Sequence, residues 1–480
     1  MNEYQKKLAI TPNNQMPKDE LLRIVKLVAD TKRFGELLIA LPKARDEFIS
    51  DSKKFLEKYN LDLDSEEMKF IFFEEYEDEK TKLLKDPNYL DLVSESFFRY
   101  RQFYINKFFY RNTLREKICD PADEKVSKWR KRQINRCNGA IGGTNLSLIH
   151  SLFCFELARG CSVGCDFCGL GAKNLTEVYK YTDENVKIFR DVMTVVRDRF
   201  GEAGSTGMLY YATEPLDNPD YEKFEHEYYD IFGVIPQITT AAATRNIERT
   251  KNLIDELNKG AKTIHRFSLT SEEMAIKVFE NFSPLELLKV ELIPQYVEAP
   301  GFQGFTSSGH AYDGKKSDAG TISAIDGFCV NFCEKSVYLF TPVRSDEANP
   351  NGIHIFEKVF FSDGQDFKEK LNYLIDKYMI NELGNEDILK LYDYFETEKS
   401  DENCYLVSRH GGEKLDLNKP MNGISEGMLE KVIAIILMKS YNKIDIAKIM
   451  YEEHGVMPEV TLYIINQLWK NGYIVEKYLA

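Results

Sequence analysis

The chain has 480 residues, 43% of them hydrophobic and 12% aromatic, which is enough to bury more than one core. Acidic residues outnumber basic residues by 77 to 63, and the net charge of −14 argues against binding to a phosphate backbone. The longest apolar runs, such as Val432–Met438, are too short to cross a membrane, and the first ten residues show no signal or transit character. We therefore expect a cytoplasmic protein with no nucleic-acid or membrane partner.

Residues 1–150 carry apolar side chains at helical spacing, and we predict an N-terminal helical domain there. The spacing is clearest through Leu21–Leu41 and Phe48–Phe55, where charged faces alternate with apolar ones. The segment Ser127–Arg136 is locally basic. We expect an exposed helix face in this segment, with a contact to a substrate or cofactor carboxylate as the alternative.

From Ser151 onward, short apolar runs alternate with amphipathic stripes such as the one around Ile247–Asn258. The predicted strands are Leu152–Leu157, Gly207–Ala212, Val234–Thr239, Thr263–Leu269, Leu288–Ile293 and Ser336–Thr341. Strands that alternate with helices pair in parallel, which predicts an α/β fold built as a barrel or a doubly wound sheet. We assign residues 151–345 to this domain and residues 346–400 to a connecting segment.

Residues 401–480 are predicted to form a separate α+β module, with a hairpin around Gly411 and Gly412 and then three helices. The predicted elements are the strands Cys404–Arg409 and Lys414–Leu417 and the helices Leu429–Leu437, Asp445–His454 and Pro458–Trp469. This is the order of a winged helix. However, residues 424–480 include six Lys, no Arg and seven Asp or Glu, which is too few cations for a DNA reader.

Three of the nine cysteines, Cys161, Cys165 and Cys168, lie within eight residues, shortly after the first predicted strand. In a chain without an export signal, this density indicates metal ligation rather than disulfides. Three thiolates at this spacing can hold three irons of a 4Fe-4S cluster and leave the fourth iron open to another ligand. The alternative is a zinc site that His150 or a distant cysteine completes.

The spacing CxxxCxxC, with Phe167 before the last cysteine, resembles the signature of the radical S-adenosylmethionine (SAM) enzymes. The resemblance implies a partial (β/α)6 TIM-like barrel of the radical SAM type, with the cluster at its C-terminal mouth and SAM on the open iron. The run Tyr211-Ala-Thr-Glu214 is similar to the Gly-Gly-Glu motif of this superfamily, with Ala212 and Thr213 in the places of the glycines.

By the same resemblance, three residues outside the cysteine loop bind SAM. Glu214 would accept the SAM amine, and Arg266 and Ser268, in the fourth predicted strand, would contact its carboxylate and ribose. The alternative for Glu214 is a charge that stabilises a helix N-terminus. The alternative for Arg266 and Ser268 is that they are ordinary polar residues at a strand end.

Much of the chain is similar to the radical SAM amino-acid epimerases that mature ribosomal peptides of the proteusin type. The similarity includes Trp129–Cys137, Phe155–Cys165 and Arg266–Ser268. The C-terminal module resembles a PqqD-like peptide-recognition element, which captures a leader peptide as an added strand. The resemblance implies a precursor peptide with a leader as substrate and an electron donor such as flavodoxin or ferredoxin. A plain packing or dimerisation module is the alternative for residues 401–480.

The implied reaction is L-to-D epimerisation, in which a Cα hydrogen is removed and a thiol returns one from the opposite face. Cys329 and Cys333, just before the last predicted strand, are the candidate catalytic thiols, and Cys404 is a further candidate. The alternatives for Cys329 and Cys333 are buried structural thiols or ligands of a second cluster.

Two other functions stay open at this point. Another radical SAM peptide maturase would perform backbone excision, crosslinking or dehydrogenation on the same scaffold. The most distant alternative is a zinc-containing adaptor that binds peptides without catalysis.

Overall fold

The computed structural model describes residues 15–260, 264–312, 321–400, 403–412, 414–419 and 427–479. Its helices are α1 (Lys18–Ala40), α2 (Ala44–Ser50), α3 (Ser52–Lys58), α4 (Ser65–Phe72), α5 (Glu77–Lys85), α6 (Tyr89–Leu92), α7 (Glu95–Thr113), α8 (Glu124–Ala140), α9 (Asp183–Phe200), α10 (Tyr221–Phe232), α11 (Ile247–Gly260), α12 (Glu272–Asn281), α13 (Gly364–Tyr378), α14 (Met428–Leu437), α15 (Lys443–His454) and α16 (Pro458–Lys470). Its strands are β1 (Ser151–Glu156), β2 (Ala158–Arg159), β3 (Glu177–Val178), β4 (Thr239–Thr240), β5 (His265–Leu269), β6 (Val290–Pro294), β7 (Ile325–Asn331), β8 (Ser336–Pro342), β9 (Ile353–Phe360), β10 (Phe395–Ser400), β11 (Asn403–Ser408) and β12 (Leu415–Asp416).

Contacts divide the chain into two compact units. The first comprises Met1–Thr113, Glu214–Glu222 and Gly233–Gly304. The second comprises Leu114–Thr213, Lys223–Phe232 and Phe305–Ala480. The predicted domains are continuous stretches of sequence with boundaries at residues 150, 345 and 400, and they stay a prediction. The contacts instead group segments that are distant in the sequence.

The first unit packs the N-terminal helices against a parallel sheet with the strand order β4-β5-β6. Its core includes Phe34 on α1, Phe48 on α2 and Phe267 on β5, all buried. The helical character predicted for the N-terminal region is confirmed from Lys18 onward. Of the predicted strand Val234–Thr239, only Thr239 lies in β4. The predicted strand Thr263–Leu269 corresponds to β5, and Thr263 itself lies outside the described residues.

The second unit contains a sheet with the order β1-β7-β8-β9. β1 pairs with β7 in parallel, and both strands are buried along their whole length, which explains their continuous apolar runs. β8 corresponds to the predicted strand Ser336–Thr341, but it is antiparallel to β7 and to β9, so the prediction of one more parallel barrel strand is wrong here. The predicted strand Gly207–Ala212 is reduced to one parallel bridge between Cys154 and Met208.

The C-terminal part of the second unit has the predicted order of strands followed by helices. β10, β11 and β12 form an antiparallel sheet, and α14, α15 and α16 follow it. The sheet and helices share a core that includes Leu406, Val432 and Trp469. β10 lies in the predicted connecting segment, and its residues after Phe395 are exposed, so it lacks the apolar alternation that marks a strand in a sequence.

Three arginines of α8 are buried, so the expectation of an exposed basic face is wrong for them. Arg130 donates a hydrogen bond to the backbone carbonyl directly before β1. Arg132 forms a buried ion pair with Glu476 (2.7 Å), and Arg136 donates to Thr341 Oγ1 (2.8 Å). These side chains therefore hold α8 against the sheet and the C-terminal helices, which also leaves them unavailable to a substrate.

The described architecture is mixed α/β with parallel strand pairing, as predicted, and the partial (β/α)6 barrel stays a prediction. Across the part of the chain that the structure describes, no helix has both the length and the apolar character that a membrane crossing requires.

Candidate functional site

The cysteine loop, residues 160–176, lies between β2 and β3, which pair in antiparallel. Backbone hydrogen bonds close its base, because Cys161 N donates to Lys173 O (2.8 Å) and Leu175 N donates to Cys161 O (3.2 Å). Gly160 has a φ of +90°, and a Cβ there would lie 2.2 Å from Asn174 O. Only glycine permits this close approach of two backbones. The local fold therefore holds the three cysteines in one closed loop.

The three loop cysteines are partly exposed, in contrast to the buried cysteines of the chain, which are Cys119, Cys137, Cys154, Cys329 and Cys404. All nine cysteines lie in described segments, and none of them forms a disulfide. Accessible thiols can lose their protons and bind a metal, whereas burial in apolar surroundings raises the pKa of a thiol and disfavours the thiolate that a metal requires. The donor set of the loop thus fits a 4Fe-4S cluster with three protein ligands, and Cys161, Cys165 and Cys168 would hold it.

His150 is buried, and hydrogen bonds occupy both of its ring nitrogens. Nδ1 bonds with the Asp326 carboxylate and Nε2 with Asn145 Oδ1 (2.7 Å), so His150 is not available to complete a zinc site on the cysteine loop. Ligand atoms of Cys137, His150 and Asp326 lie within 4.8 Å of one another. However, Arg136 Nη2 is 3.5 Å from the Cys137 sulfur, and burial raises the pKa of this thiol to about 12. The group is a hydrogen-bond network rather than a cation site.

A row of sulfur and phenol groups crosses three strands of the second unit. Cys154 on β1, Cys329 on β7 and Tyr338 on β8 are register partners. Burial, followed by the interaction with Cys154, raises the pKa of Cys329 well above the usual value for a thiol. Burial also raises the pKa of Cys154. Both thiols therefore keep their S–H bonds, from which a donor can supply a hydrogen atom.

Glu156 ends β1 two residues after Cys154, so the two side chains point to the same face of the strand. Its carboxylate accepts hydrogen bonds from Ala212 N (3.0 Å) and Asn331 Nδ2 (2.9 Å), and Cys329 lies close enough to act on its pKa. Burial raises the pKa of this carboxyl. A buried carboxyl in contact with Cys329 can exchange a proton with that thiol.

Cys333 lies in the turn between β7 and β8 and is partly exposed. Burial, followed by the negative charge of Glu177, raises the pKa of Cys333 to about 12. The structure thus places the two candidate thiols in different surroundings, Cys329 in the row and Cys333 in the turn. Each thiol keeps its S–H bond, which hydrogen donation requires.

Glu214, in the first unit, is buried at the start of a short 3-10 helix, Pro215–Asp217. Its Oε1 accepts hydrogen bonds from Leu216 N (3.1 Å) and Thr240 Oγ1 (2.5 Å), and Oε2 accepts one from Ala241 N (2.9 Å). The side chain therefore caps the helix, as the alternative interpretation expects, and joins it to the end of β4. Burial raises the pKa of this carboxyl.

Arg266 and Ser268, also in the first unit, lie on one face of β5, where Arg266 is exposed and Ser268 is partly buried. Arg266 Nε donates to Glu291 Oε2 (3.1 Å), and the same carboxylate pairs with Lys107 of α7. Burial, with the nearby charge of Arg266 as the second cause, lowers the pKa of Lys107 to about 8. Arg266 is therefore part of a charged cluster on this face.

Sequence reasoning missed four of these residues: Cys154, Glu156, Tyr338 and Lys107. A signal existed for Cys154 and Glu156, because they alternate along the strand that leads into the cysteine loop and so share a face. No spacing rule points to Lys107, since its contact with Glu291 joins segments that are far apart in the sequence. Tyr338 is the register partner of Cys329 because β7 and β8 are antiparallel, which the sequence did not predict.

Comparison with known proteins gives a relative and a distant structural neighbour. The chain is 32% identical over 364 residues to the uncharacterized protein y4wI of Sinorhizobium fredii, and the alignment covers 73% of this chain and 70% of that relative. No family model matches the chain. The crystal structure of BtrN in complex with AdoMet and 2-DOIA has a TM-score of 0.29 and 13% identity, over 39% of this chain and 72% of that chain. A similarity this low carries no argument about fold or function.

Proposed function

The chain belongs to the same family as the y4wI protein. We propose that it is an iron–sulfur enzyme that cleaves SAM. The observation that carries the proposal is the cysteine loop. Its three thiols are partly exposed and lie in a loop that backbone hydrogen bonds close at Cys161. A cluster with three protein ligands keeps one iron open, and an open iron is what the SAM amine and carboxylate require.

Three residues of the first unit, Glu214, Arg266 and Ser268, have chemistry that suits the binding of SAM. Glu214 accepts two hydrogen bonds at Oε1 but one at Oε2 among the described contacts, so its carboxylate has capacity for one more donor, such as the SAM amine. Arg266 presents an exposed guanidinium, which can pair with a carboxylate, and Ser268 lies two residues along the same face of β5.

We propose a peptide as the substrate and L-to-D epimerisation as the reaction. When bound, the cluster and SAM supply an adenosyl radical that can remove a Cα hydrogen. The chain would then return a hydrogen from a protonated thiol, and Cys329 and Cys333 both keep their protons because burial raises their pKa values. Donation leaves a thiyl radical on Cys329, and one electron from the external donor together with one proton from the nearby Glu156 carboxyl would restore the thiol.

The C-terminal part of the second unit supports a peptide substrate. It has a three-stranded antiparallel sheet followed by three helices, and β10 is exposed after Phe395. An extended leader can add to such a sheet as a further strand, so that backbone hydrogen bonds supply affinity. A flavodoxin or ferredoxin would supply the electron.

The experiment that tests epimerisation is a reaction in deuterated water with a short precursor peptide encoded beside the gene. We expect one deuterium at Cα of each D-residue and no other change in mass. Cys329→Ala should abolish D-residue formation while 5′-deoxyadenosine is still released, because hydrogen removal does not need the thiol. A crosslinked, desaturated or shortened peptide would replace epimerisation with another maturation, and full D-residue formation by Cys329→Ala would move the donor role to Cys333.

A further inference from the structure

We propose that the segment Phe305–Ala311 is a clamp that positions the cysteine loop for its cluster, and that Gly309 is the residue on which the fit depends. The proposal rests on the function proposed above, since it concerns the same loop. It identifies positioning residues that do not bind iron themselves.

The clamp donates hydrogen bonds to three backbone carbonyls of the cysteine loop. Ser308 Oγ donates to Gly169 O (2.8 Å), and His310 N donates to Cys168 O (2.9 Å). His310 Nδ1 lies 3.0 Å from Cys165 O, and because a carbonyl can only accept, Nδ1 carries the proton in this bond. Ser308 is completely buried, so the first of these bonds is shielded from water.

Gly309 brings the two backbones into direct contact. Its φ is +64°, and a Cβ at this position would lie 2.1 Å from Cys168 O and 2.5 Å from Gly171 N. Its own N–H donates to Pro350 O (2.8 Å), which anchors the clamp on its far side. Any side chain at this position must therefore displace the carbonyl of a cluster cysteine or break the anchor.

An aromatic pair adds to these contacts at the start of the clamp. The rings of Phe305 and Phe167 are stacked, with centroids 4.7 Å apart and planes within 8° of parallel. Phe167 stands directly before Cys168 in the sequence. Backbone and ring contacts thus restrain the loop from Cys165 to Gly171.

Restraint of this kind matters for a cluster held by only three cysteines. The direction of each sulfur follows from the backbone of its residue, and groups that orient metal ligands typically change metal affinity by about 10–100-fold. A loop that is already restrained gains a cluster without the entropy cost of ordering its backbone.

The test compares Gly309→Ala with Gly304→Ala in the full chain, after anaerobic reconstitution with iron and sulfide. Gly304 has the same kind of conformation, with a φ of +87°, but a Cβ there would meet no atom within 4 Å. The measurement is the rate at which a chelator removes iron, together with the electron paramagnetic resonance (EPR) spectrum of the reduced cluster. We expect Gly309→Ala to lose iron about tenfold faster or more and to show an altered spectrum, whereas Gly304→Ala should match the wild type.

Ser308→Ala and Ser308→Thr form a second, milder pair, because threonine retains the hydroxyl that bonds to Gly169 O. We expect iron loss to be faster from Ser308→Ala than from the wild type, and Ser308→Thr to have an intermediate rate. If Gly309→Ala does not fold, these two variants test the clamp. Equal rates of iron loss for both alanine variants and the wild type would overturn the clamp. A wild-type protein that binds no iron would instead overturn the proposed function.

Discussion

Cys329 and Cys333 stand four positions apart in the sequence, yet the fold gives them different neighbours. Cys329 lies in a strand between Cys154 and Tyr338, whereas Cys333 lies in a turn where Glu177 is the nearest charge to act on it. Burial keeps both thiols protonated. Protonation therefore does not distinguish them as hydrogen donors. Glu156 lies close to Cys329 and can return the proton when the thiyl radical is reduced by one electron, which favours Cys329 as the donor.

Burial lowers the pKa of His265, whereas it raises the pKa of the thiols, so the stability of the protein should depend on pH. His265 accepts a hydrogen bond from Ile238 N (3.2 Å), and burial, followed by the charge of Lys289, lowers its pKa from 6.5 to about 3. A histidine that stays neutral in the folded protein makes its full contribution to stability at a pH above the pKa that it has in the unfolded chain. The unfolded chain binds the proton first as the pH falls, so the free energy of unfolding should decrease by about 1.4 kcal/mol per pH unit below 6.5.

His265→Asn retains an acceptor for Ile238 N but cannot titrate in this range. We expect the variant to lose less thermal stability than the wild type between pH 7 and pH 5, as measured by the shift in Tm. His454→Asn, at an exposed position of α15, is the matched control and should follow the wild type. If His265→Asn showed the same pH dependence as the wild type, burial of a neutral imidazole would not be the cause.

At the scale of elements, the helices and strands that could be predicted are the ones whose residues carry a local pattern. β1, β5, β6 and the three C-terminal helices follow from apolar runs and helical spacing, and the cysteine loop follows from its motif. β10 could not be predicted, because its side chains are exposed and its stability comes from pairing with β11. The antiparallel direction of β8 likewise depends on pairing with β7 rather than on its own residues.

The arginines of α8 show why burial of charged residues is hard to predict. The guanidinium groups of Arg132 and Arg136 find acceptors in segments that are distant in the sequence. For Arg132 these are Glu476 (2.7 Å) and the carbonyl of Ile380 (2.7 Å), and its side chain also lies over the ring of Trp469 at 3.9 Å. The basic character of the helix was visible in the sequence, but its partners were not.

Removal of one partner of this ion pair should therefore be costly. Arg132→Ala leaves the Glu476 carboxylate buried without its cation, and we expect a loss of about 3–5 kcal/mol in the free energy of unfolding, as measured by urea denaturation. Lys128→Ala on the same helix removes a side chain that is 59% exposed and should change stability by less than about 0.5 kcal/mol. A loss of similar size in both variants would show that α8 is not held by its buried pair.

At the scale of the whole molecule, the predicted site residues are divided between the two contact-defined units. The cluster cysteines and candidate thiols belong to the second unit, whereas Glu214, Arg266 and Ser268 belong to the first. Each set has chemistry suited to its proposed task within its own unit. The motifs predicted these residues, whereas groups that surround them, such as Tyr338 and the clamp at Gly309, became visible only through contacts.

The central claim is that Cys161, Cys165 and Cys168 hold a cluster whose open iron binds SAM. Its most direct test is the EPR spectrum of the anaerobically purified and reduced protein, recorded with and without SAM. We expect about four irons and four sulfides per chain, a spectrum that changes when SAM is added, and no signal when the three cysteines are replaced by alanine. A protein that contains zinc without iron, or a cluster whose spectrum SAM leaves unchanged, would contradict the claim.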